Sequence, residues 1–310
     1  MAEGRVIIEG KTKRIVAGPR KGTVLMETKD ELTGGDAAKR ATIEGIARHK
    51  TTQCANVFSL LNQKGIPTAF LEPHDDTTLL HYECDMLPIE LVMRRYAWGS
   101  FLQREPQYKQ ASGVPFRFDE LRCELFHKHS VVMPPNVERP VQMDEGEARE
   151  RFLKDGVWAD GVYTDPYIHI AEGASAWALH AAKVPFKAGR ALMEIDPVLS
   201  PEEVASIKHD LMLPCCQALE EALSHVETQY GPIVLADIKI EAGRQKVDGK
   251  LVIADVIDND SWRIWPGGDP SKQLDKQNFR DGHPLSEVSD NYVLVAELTR
   301  AFLASSPSRH

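Results

Sequence analysis

The clearest alternation of polar and apolar residues along the chain lies in the segment PIVLADIKIEAG. It places Asp237, Lys239 and Glu241 on one face of an extended strand and two isoleucines on the other face. The following VDGK supplies a turn, and Asp248-Gly249 is typical of type I′ geometry. Because LVIADVID is a second apolar stretch, the pattern predicts a β-hairpin with this stretch as the return strand.

Two acids, Glu241 and Asp255, are placed almost symmetrically about this turn. Allowing one residue for a β-bulge, we expect them side by side on adjacent strands. Neighbouring carboxylates repel each other unless a cation lies between them or one of them is protonated. Their hard oxygen atoms suit Mg²⁺, which commonly takes one or two carboxylates together with phosphate oxygens and water. A solvated face of an edge hairpin is the alternative explanation.

The residues after the hairpin interleave charge with large aromatic side chains. Asp258, Asp260 and Arg263 stand among Trp262 and Trp265. An acid and an arginine beside a buried aromatic wall are typical of a pocket for a small anionic ligand. The segment therefore favours a binding site over a plain turn.

The chain begins with strand patterns that surround a basic turn. The segment GKTKR, residues 10–14, lies within three strand patterns that cover residues 5–30. A glycine turn with lysines can cover phosphate groups, although a solvated basic turn explains the same residues. A helix is predicted next, with Asp36 as its N-cap and its end near Lys64. Further strands up to residue 90 complete a β-rich N-terminal lobe.

A second basic stretch, RRYAWGSFLQRE, joins the end of a strand to a short helix. Gly99-Ser100 opens the predicted helix, and Arg94, Arg95 and Arg104 lie on either side. Arginines around a helix N-terminus that carries a serine are typical of an anion site. A capped helix with surface arginines explains the serine equally well.

The remaining chain carries fewer chemical landmarks. Residues 129–160 are Pro-rich and then acidic and helical, which predicts a surface insertion or a lid. Residues 171–230 are expected to be mostly helical, with Pro201 at a helix N-terminus and Pro214 splitting that helix. A final amphipathic helix is predicted over residues 284–303.

Composition narrows the class of protein. The 310 residues are 42% hydrophobic and 27% charged, as in ordinary globular proteins, and no run of apolar residues is long enough to span a membrane. The N-terminus lacks the apolar core of a secretion signal, and the five cysteines form no CxxC pair. We therefore expect reduced thiols and a cytoplasmic location. The net charge of −9 argues against nucleic-acid binding but not against a small anionic substrate.

Catalysis by a side-chain nucleophile is not indicated. The eleven histidines show no metal-binding spacing, and no GxSxG motif or Cys/His arrangement is present. The chemistry suggested by the sequence is instead that of cations and acids arranged around anionic ligands.

Five segments occur in an order and spacing that resemble the SAICAR synthetase family. They are GKTKRI, LTGGDAAKR, MLPIELVMRRYAWGS, LADIKIEAG and ADVIDNDSWRIWPGGD, and the resemblance covers most of residues 5–300. The last segment is most similar to the animal-type branch, in which the synthetase is fused to a carboxylase domain; no such domain is expected here. The resemblance implies an α+β fold of two lobes, residues 1–90 and 91–310, with ATP in the cleft between them.

The family implies a specific ligation. Its members join CAIR, a phosphoribosylated aminoimidazole carboxylate, to the amine of L-aspartate, with ATP and Mg²⁺, and release SAICAR, ADP and phosphate. A carboxylate does not react with an amine at neutral pH, whereas an acyl phosphate made from it does. The protein then has to neutralise phosphate charge and align anionic ligands. Small molecules are the expected partners, and a homo-oligomer is left open.

The resemblance also implies roles for individual residues. The nucleotide contacts are Gly10, Lys11, Lys13, Met86 and Leu87; the CAIR contacts are Glu90, Arg94, Ser100, Arg104, Asp260, Ser261 and Arg263; the residues near the reacting groups are Lys128, Asp165 and Lys239; the magnesium ligands are Glu241 and Asp255.

The segment around Lys128 departs from the family pattern, and two alternative functions remain to be weighed. His129 and Ser130 stand where the family has acidic residues after Lys128, and roughly thirty extra residues precede Asp165. A small-molecule kinase of related fold is the alternative function, although no HRD-like catalytic loop is present. A nucleotide-binding scaffold without turnover would lack the two magnesium acids, and both are present.

Overall fold

The structure, a computed structural model, describes residues 4–34, 39–133 and 139–304. The strands within these ranges are, in chain order, β1 (Val6–Glu9), β2 (Lys13–Ala17), β3 (Thr23–Thr28), β4 (Glu31–Gly34), β5 (Lys39–Thr42), β6 (Phe70–Asp75), β7 (Thr78–Tyr82), β8 (Cys84–Tyr96), β9 (Arg117–His127), β10 (Ser130–Val132), β11 (Val141–Met143), β12 (Leu153–Lys154), β13 (Val157–Trp158), β14 (Val162–Tyr163), β15 (Tyr167–His169), β16 (Trp177–His180), β17 (Met193–Ile195), β18 (Glu227–Thr228), β19 (Gly231–Gln245), β20 (Leu251–Ala254) and β21 (Trp262–Pro266). The helices are α1 (Ile46–Gln63), α2 (Ser100–Arg104), α3 (Glu145–Phe152), α4 (Pro201–Ser206), α5 (Leu213–Ser224), α6 (Gln277–Asp281), α7 (Leu285–Leu298) and α8 (Ala301–Ala304).

The chain forms two compact units. The first unit contains the chain up to Met86 together with the chain from His209 onward, and the second contains Leu87–Lys208. The first crossing lies four residues before the lobe boundary that the sequence predicts at residue 90. The return of the chain to the first unit was not predicted, because it depends on packing between residues that are far apart in sequence.

The first unit contains an antiparallel sheet in the order β1-β2-β3-β7-β6. Helix α1 packs on α7, and Leu32, Ile46, Phe279, Val288 and Tyr292 form one buried cluster that joins strand β4 to helices α1, α6 and α7. An isolated bridge between Thr68 and Ile253 ties the segment before β6 to strand β20. These contacts explain why the C-terminal third of the chain belongs with the N-terminal strands.

Strand β19 is the longest strand of the first unit. Along its length it pairs with β18, β21 and β20, all antiparallel. The predicted hairpin is therefore confirmed, but β20 ends at Ala254 and a third strand, β21, adds to β19 nearer its start. The buried residues of β19 include Ile238 and Ile240, as the alternation predicts.

The second unit contains an antiparallel sheet in the order β17-β16-β15-β9-β8. Strands β10 and β11 and the β12-β13 pair lie in the segment that the sequence assigns to a surface insertion. Strand β14, which pairs with β10, follows directly after that segment. That segment contains helix α3, whose N-cap is Asp144: its carboxylate accepts hydrogen bonds from the backbone N–H groups of Gly146 and Glu147. The assignment of residues 129–160 as an insertion remains a prediction.

Two helix predictions are wrong. The helix predicted after the Gly-Gly turn begins only at Ile46, because strands β4 and β5 pair instead. Asp36, the predicted N-cap, lies outside the described residues; the carboxylate of Asp30 accepts hydrogen bonds from the N–H groups of Gly45 and Ala47 at 3.0 and 2.9 Å. Residues 171–200 contain strands β16 and β17 rather than helix, since sheet pairing overrides weak local propensity.

The later helices follow the sequence closely. Pro201 is the first residue of α4, and Ser200 forms a capping box with Glu203. A π-helical stretch, Ile207–Met212, separates α4 from α5, so the predicted split near Pro214 is confirmed. No helix among the described residues is long and apolar enough to cross a membrane.

One glycine of β19 allows the close approach of another strand. A Cβ atom on Gly243 would lie 2.9 Å from Cys84 Cβ and 3.1 Å from both the Asp85 carbonyl oxygen and the Met86 sulfur. Real Cβ atoms essentially never come within 3.0 Å of such a neighbour, so the approach to Cys84 requires a glycine where β19 passes the first residues of β8.

We expect Gly243→Ala to lower the free energy of unfolding by about 1–3 kcal/mol, because the added methyl group overpacks this contact. The melting temperature, followed by circular dichroism, should fall accordingly. Gly189→Ala is the control, since a Cβ at Gly189 would meet nothing within 4 Å. Equal melting temperatures for the two variants would contradict the close approach.

Candidate active site

The two predicted magnesium acids lie at the end of the β19-β20 ladder. Glu241 is opposite Ala254, so Asp255 follows the partner of Glu241 by one residue. Asp255 leaves the strand with φ 64°, a left-handed conformation that is uncommon for a residue with a side chain. The predicted type I′ turn is wrong: of Asp248 and Gly249 only Gly249 has positive φ, and Gln245 pairs with Lys250 around a four-residue loop.

A lysine from the basic turn reaches the second of these acids, Asp255. The ammonium group of Lys13, at the start of β2, forms an ion pair with the carboxylate of Asp255. Gly10 closes the turn, donating its N–H to the Lys13 carbonyl oxygen at 2.9 Å, and Lys11 lies half-buried within it. The structure thus brings the basic turn to the hairpin acids, which the sequence alone did not indicate.

The donor set at this position fits a magnesium ion. Glu241 and Asp255 offer hard carboxylate oxygens, and Asp255 already accepts a cation in the form of Lys13. Lys239 lies beside Glu241, with its Nζ 3.9 Å from the carboxylate. The described residues contain no cluster of three or more His, Cys, Asp or Glu side chains suited to a metal. Mg²⁺ needs only one or two carboxylates when phosphate and water complete its shell.

Arg263 lies on β21, directly across from Asp237 on β19. Its Nη1 donates to the Asp237 carboxylate at 2.6 Å, and Trp262 and Trp265 on either side are buried. The predicted burial of both tryptophans is therefore confirmed, although their spacing on β21 turns them to opposite faces of the strand. The nearby Asp275 also supports this strand, since its Oδ2 accepts the N–H of Ile264 at 3.3 Å.

Asp260 is held by a buried network. Lys276 donates to its Oδ2 at 2.8 Å, and the hydroxyl of Tyr292 donates to its Oδ1. Although burial alone would raise the pKa of Asp260, the positive charges of Lys276 and Lys50 and these hydrogen bonds hold it well below its usual range. Burial and the charge of Asp260 raise the pKa of Asp258 to about 6.

Ser261 closes a tight loop beside this network. Its backbone N–H donates to the Asp258 carbonyl oxygen at 2.8 Å, and its hydroxyl donates to the Val256 carbonyl oxygen at 3.2 Å. Its carbonyl oxygen accepts the N–H of Lys239 at 2.7 Å. Asp260 and Ser261 are thus well ordered by protein contacts, and their binding of substrate remains a prediction.

In the second unit, strand pairing brings together three residues that are distant in sequence. Tyr167 on β15 is opposite Phe126 on β9, and Glu90 on β8 is opposite the same Phe126. Lys128 follows the last residue of β9 and Asp165 lies two residues before β15, so both lie at the same end of this ladder. The long segment between Lys128 and Asp165 leaves this pairing intact.

Backbone geometry marks the Asp165 position as well. Asp165 precedes a proline and has φ 43°, again in the left-handed region. The carbonyl oxygen of Pro166 accepts the N–H of His127 at 2.9 Å, and the N–H of Lys128 donates to the Pro88 carbonyl oxygen at 3.0 Å. The backbone on both sides of Lys128 is therefore fixed by neighbouring segments.

Helix α2 is placed as the sequence predicts. Gly99 is its N-cap with φ 59° and ψ −134°, a conformation open essentially to glycine, and Ser100 is its first residue. Arg94 and Arg104, however, are buried, and both form ion pairs with Glu124. The alternative of surface arginines is therefore wrong for these two residues. Arg104 is 1% exposed, which favours a packing role for it over contact with a substrate.

The predicted adenine contacts, Met86 and Leu87, are consecutive residues of β8. Met86 is exposed and Leu87 is buried, as expected for successive residues of a strand with one buried face. Sequence reasoning missed Glu124, Lys276 and Tyr292. Glu124 had one indication, a lone acid inside the apolar end of β9, whereas nothing local marked Lys276 or Tyr292.

Comparison with known proteins identifies the family. The family model for SAICAR synthetase matches residues 6–147 and 179–297. A phosphoribosylaminoimidazole-succinocarboxamide synthase of Chloroflexus aurantiacus is 35% identical over 312 residues, which cover 99% of this chain and 100% of the relative. The chain belongs to the SAICAR synthetase family. The family predicted from the five sequence segments is confirmed.

Other members of the SAICAR synthetase family support the fold and differ in length. The multifunctional protein ADE2 of Gallus gallus is 33% identical over 308 residues; the match covers 97% of this chain but spans 59% of that protein. A SAICAR synthetase solved in complex with ADP has a TM-score of 0.65 and 24% identity, covering 98% of this chain and 99% of that one. The predicted α+β fold is confirmed.

Proposed function

We propose that this chain catalyses the ATP-dependent joining of CAIR and L-aspartate to form SAICAR, ADP and phosphate in de novo purine biosynthesis. The observation that carries the proposal is the family match over most of the chain, together with a relative of that name at 35% identity along its whole length. The ADP bound to a structural neighbour supports the use of a nucleotide.

The reaction proceeds in two steps. A carboxylate oxygen of CAIR attacks the γ-phosphorus of ATP, and ADP leaves, so that an acyl phosphate forms. The amine of aspartate then attacks the acyl carbon, the amine loses a proton, and inorganic phosphate leaves with the oxygen that it received. No side-chain nucleophile is needed, so the protein contributes positioning and charge stabilisation.

In the first unit, we assign the basic turn and the hairpin acids to the nucleotide. Lys11 and Lys13, with the turn closed by Gly10, bind phosphate groups. The adenine contacts that we assign, Met86 and Leu87, are consecutive residues of β8. Glu241 and Asp255 would hold Mg²⁺, which when bound neutralises phosphate charge and polarises the transferred phosphoryl group. Lys239, beside Glu241, adds a further positive charge that helps to neutralise the phosphate groups.

We assign the CAIR contacts by pairing cationic and hydroxyl side chains with the anionic groups of CAIR. Arg263 binds the substrate phosphate from β21, where Asp237 orients its guanidinium group. Ser261 and Asp260 lie on the loop that leads into this strand. In the second unit, Arg94 and Ser100 bind an anionic group of CAIR, and Glu90 lies on the same strand as Arg94.

Lys128 and Asp165 are assigned to the reacting groups. The ammonium of Lys128 stabilises charge on the acyl phosphate, and the neighbouring Asp165 orients the amine of L-aspartate. Support comes from the β9-β15 ladder, because both residues lie at the same end of it despite thirty-six intervening residues. The chain acts on small molecules, and we propose that it does so in the cytoplasm.

The proposal is tested by measuring ADP release with CAIR and L-aspartate supplied separately and together. We expect sustained ADP release only when both are present, with SAICAR as the product identified by mass spectrometry. ADP formation that ignores aspartate and requires an alcohol would overturn the proposal in favour of a small-molecule kinase.

We expect Asp255→Asn to lower kcat by roughly 100-fold or more, because an amide is a poor replacement for a carboxylate that holds a divalent cation. Binding of Mn²⁺ to the protein, followed by electron paramagnetic resonance, should weaken in parallel. Asp248→Asn, in the exposed turn of the same hairpin, is the control and should retain activity. Wild-type turnover of Asp255→Asn at millimolar Mg²⁺ would remove the metal assignment.

Arg263→Ala is expected to raise the KM for CAIR by roughly tenfold or more and the KM for ATP much less, because a charge-assisted contact to the phosphate is lost. Arg263→Lys keeps a positive charge beside Asp237 but lacks the planar fork, and should give a smaller shift in the same direction. Steady-state kinetics with each substrate varied in turn provide the measurement. Equal changes in both KM values would contradict the CAIR assignment.

A further inference from the structure

The second unit contains a carboxylate buried between two arginines. Glu124 on β9 accepts a hydrogen bond from Arg94 Nε at 2.5 Å through Oε2 and from Arg104 Nη2 through Oε1. All three side chains are buried, with 4% of Arg94, 1% of Arg104 and 8% of Glu124 exposed. Such a triad is costly to bury, so its retention calls for an explanation beyond stability.

Strand geometry explains how Glu124 meets Arg94. In the β8-β9 ladder Arg94 is opposite Arg122, and Glu124 is opposite Val92. Residues two positions apart on a strand share a face, so Glu124 is the diagonal neighbour of Arg94. The carboxylate thereby takes up the Nε edge of the guanidinium group and fixes the direction in which its remaining N–H groups point.

The second arginine links Glu124 to helix α2. Arg104 is the last residue of this helix, and Ser100 is the first. The Arg104 guanidinium also donates to the Ala182 carbonyl oxygen at 3.1 Å and lies 4.6 Å from the centre of the Tyr167 ring. Phe101 of the same helix lies against both guanidinium groups, 5.7 Å from Arg94 and 5.6 Å from Arg104.

We propose that Glu124 is a positioning residue for the CAIR site: it orients Arg94 directly and holds helix α2, and therefore Ser100, through Arg104. This inference rests on the proposed function, in which Arg94 and Ser100 bind an anionic group of CAIR. It assigns Arg104 to the support of the site and removes it from contact with the substrate. The single carboxylate of Glu124 then positions both Arg94 and helix α2, which donate hydrogen bonds to the same anionic group.

The test is Glu124→Gln, which keeps the shape of the side chain and removes its charge. Because the buried arginines lose their charged acceptor, we expect the KM for CAIR to rise roughly tenfold or more, with the KM values for ATP and L-aspartate within about twofold of wild type. Glu147→Gln is the matched control. It removes the carboxylate of an exposed Arg151–Glu147 ion pair in the same unit and should change none of the three KM values.

Two further measurements separate positioning from a purely structural role. In an Arg94→Lys background, Glu124→Gln should raise the KM for CAIR by less than about threefold, because the main route, orientation of the Arg94 guanidinium, is gone and only the support of helix α2 through Arg104 remains. Glu124→Asp retains the charge and should recover part of the CAIR affinity; it also serves if the melting temperature shows that Glu124→Gln does not fold.

Four results are decisive. Equal changes in all three KM values, or an unchanged CAIR KM in folded Glu124→Gln, would overturn the positioning role, as would a full tenfold effect in the Arg94→Lys background. Failure of the wild-type protein to make SAICAR from CAIR, aspartate and ATP would instead overturn the proposed function, and the two failures are thus distinguishable.

Discussion

Charge pairing around strand β19 is the constraint on which the first unit depends. This strand and the segment between β20 and β21 place acids close to the core, where an isolated carboxylate would be strongly destabilising. Each of three acids is matched by a cation from another part of the chain: Asp237 by Arg263, Asp255 by Lys13 and Asp260 by Lys276. Each pair connects two different strands or loops, and the Lys13–Asp255 pair spans most of the chain, so the arrangement of acids and the tertiary fold require each other.

Buried charge pairing also organises the second unit, but there the buried side chains in excess are cations rather than acids. There the buried excess is positive, two arginines around Glu124, and aromatic rings cover the guanidinium faces. Buried ion pairs contribute little net stability, but they specify geometry closely because leaving one partner without the other is costly. Both units therefore use charged groups to hold elements at defined positions, which is what a reaction between anionic ligands demands of a protein.

Local sequence was informative where the pattern is strong and the contacts are short in range. The alternation in β19, the Gly99-Ser100 start of α2 and the proline at the start of α4 all appear in the structure. It failed where pairing partners are distant. The segment after β4 contains good helix-forming residues, yet β5 pairs with β4, and the carboxylate of Asp30 binds the first amides of α1 instead.

The sequence by itself determined the family, the types of residue and the fold class, because motif identity and hydrophobic period are properties of the chain alone. Only the tertiary structure decided which charges meet. Lys13 reaches Asp255 across more than two hundred residues, and Glu124 joins Arg94 to helix α2 through the register of two strands. Such contacts depend on strand register and core packing, which are set by the whole chain at once and leave no mark on any short stretch of it.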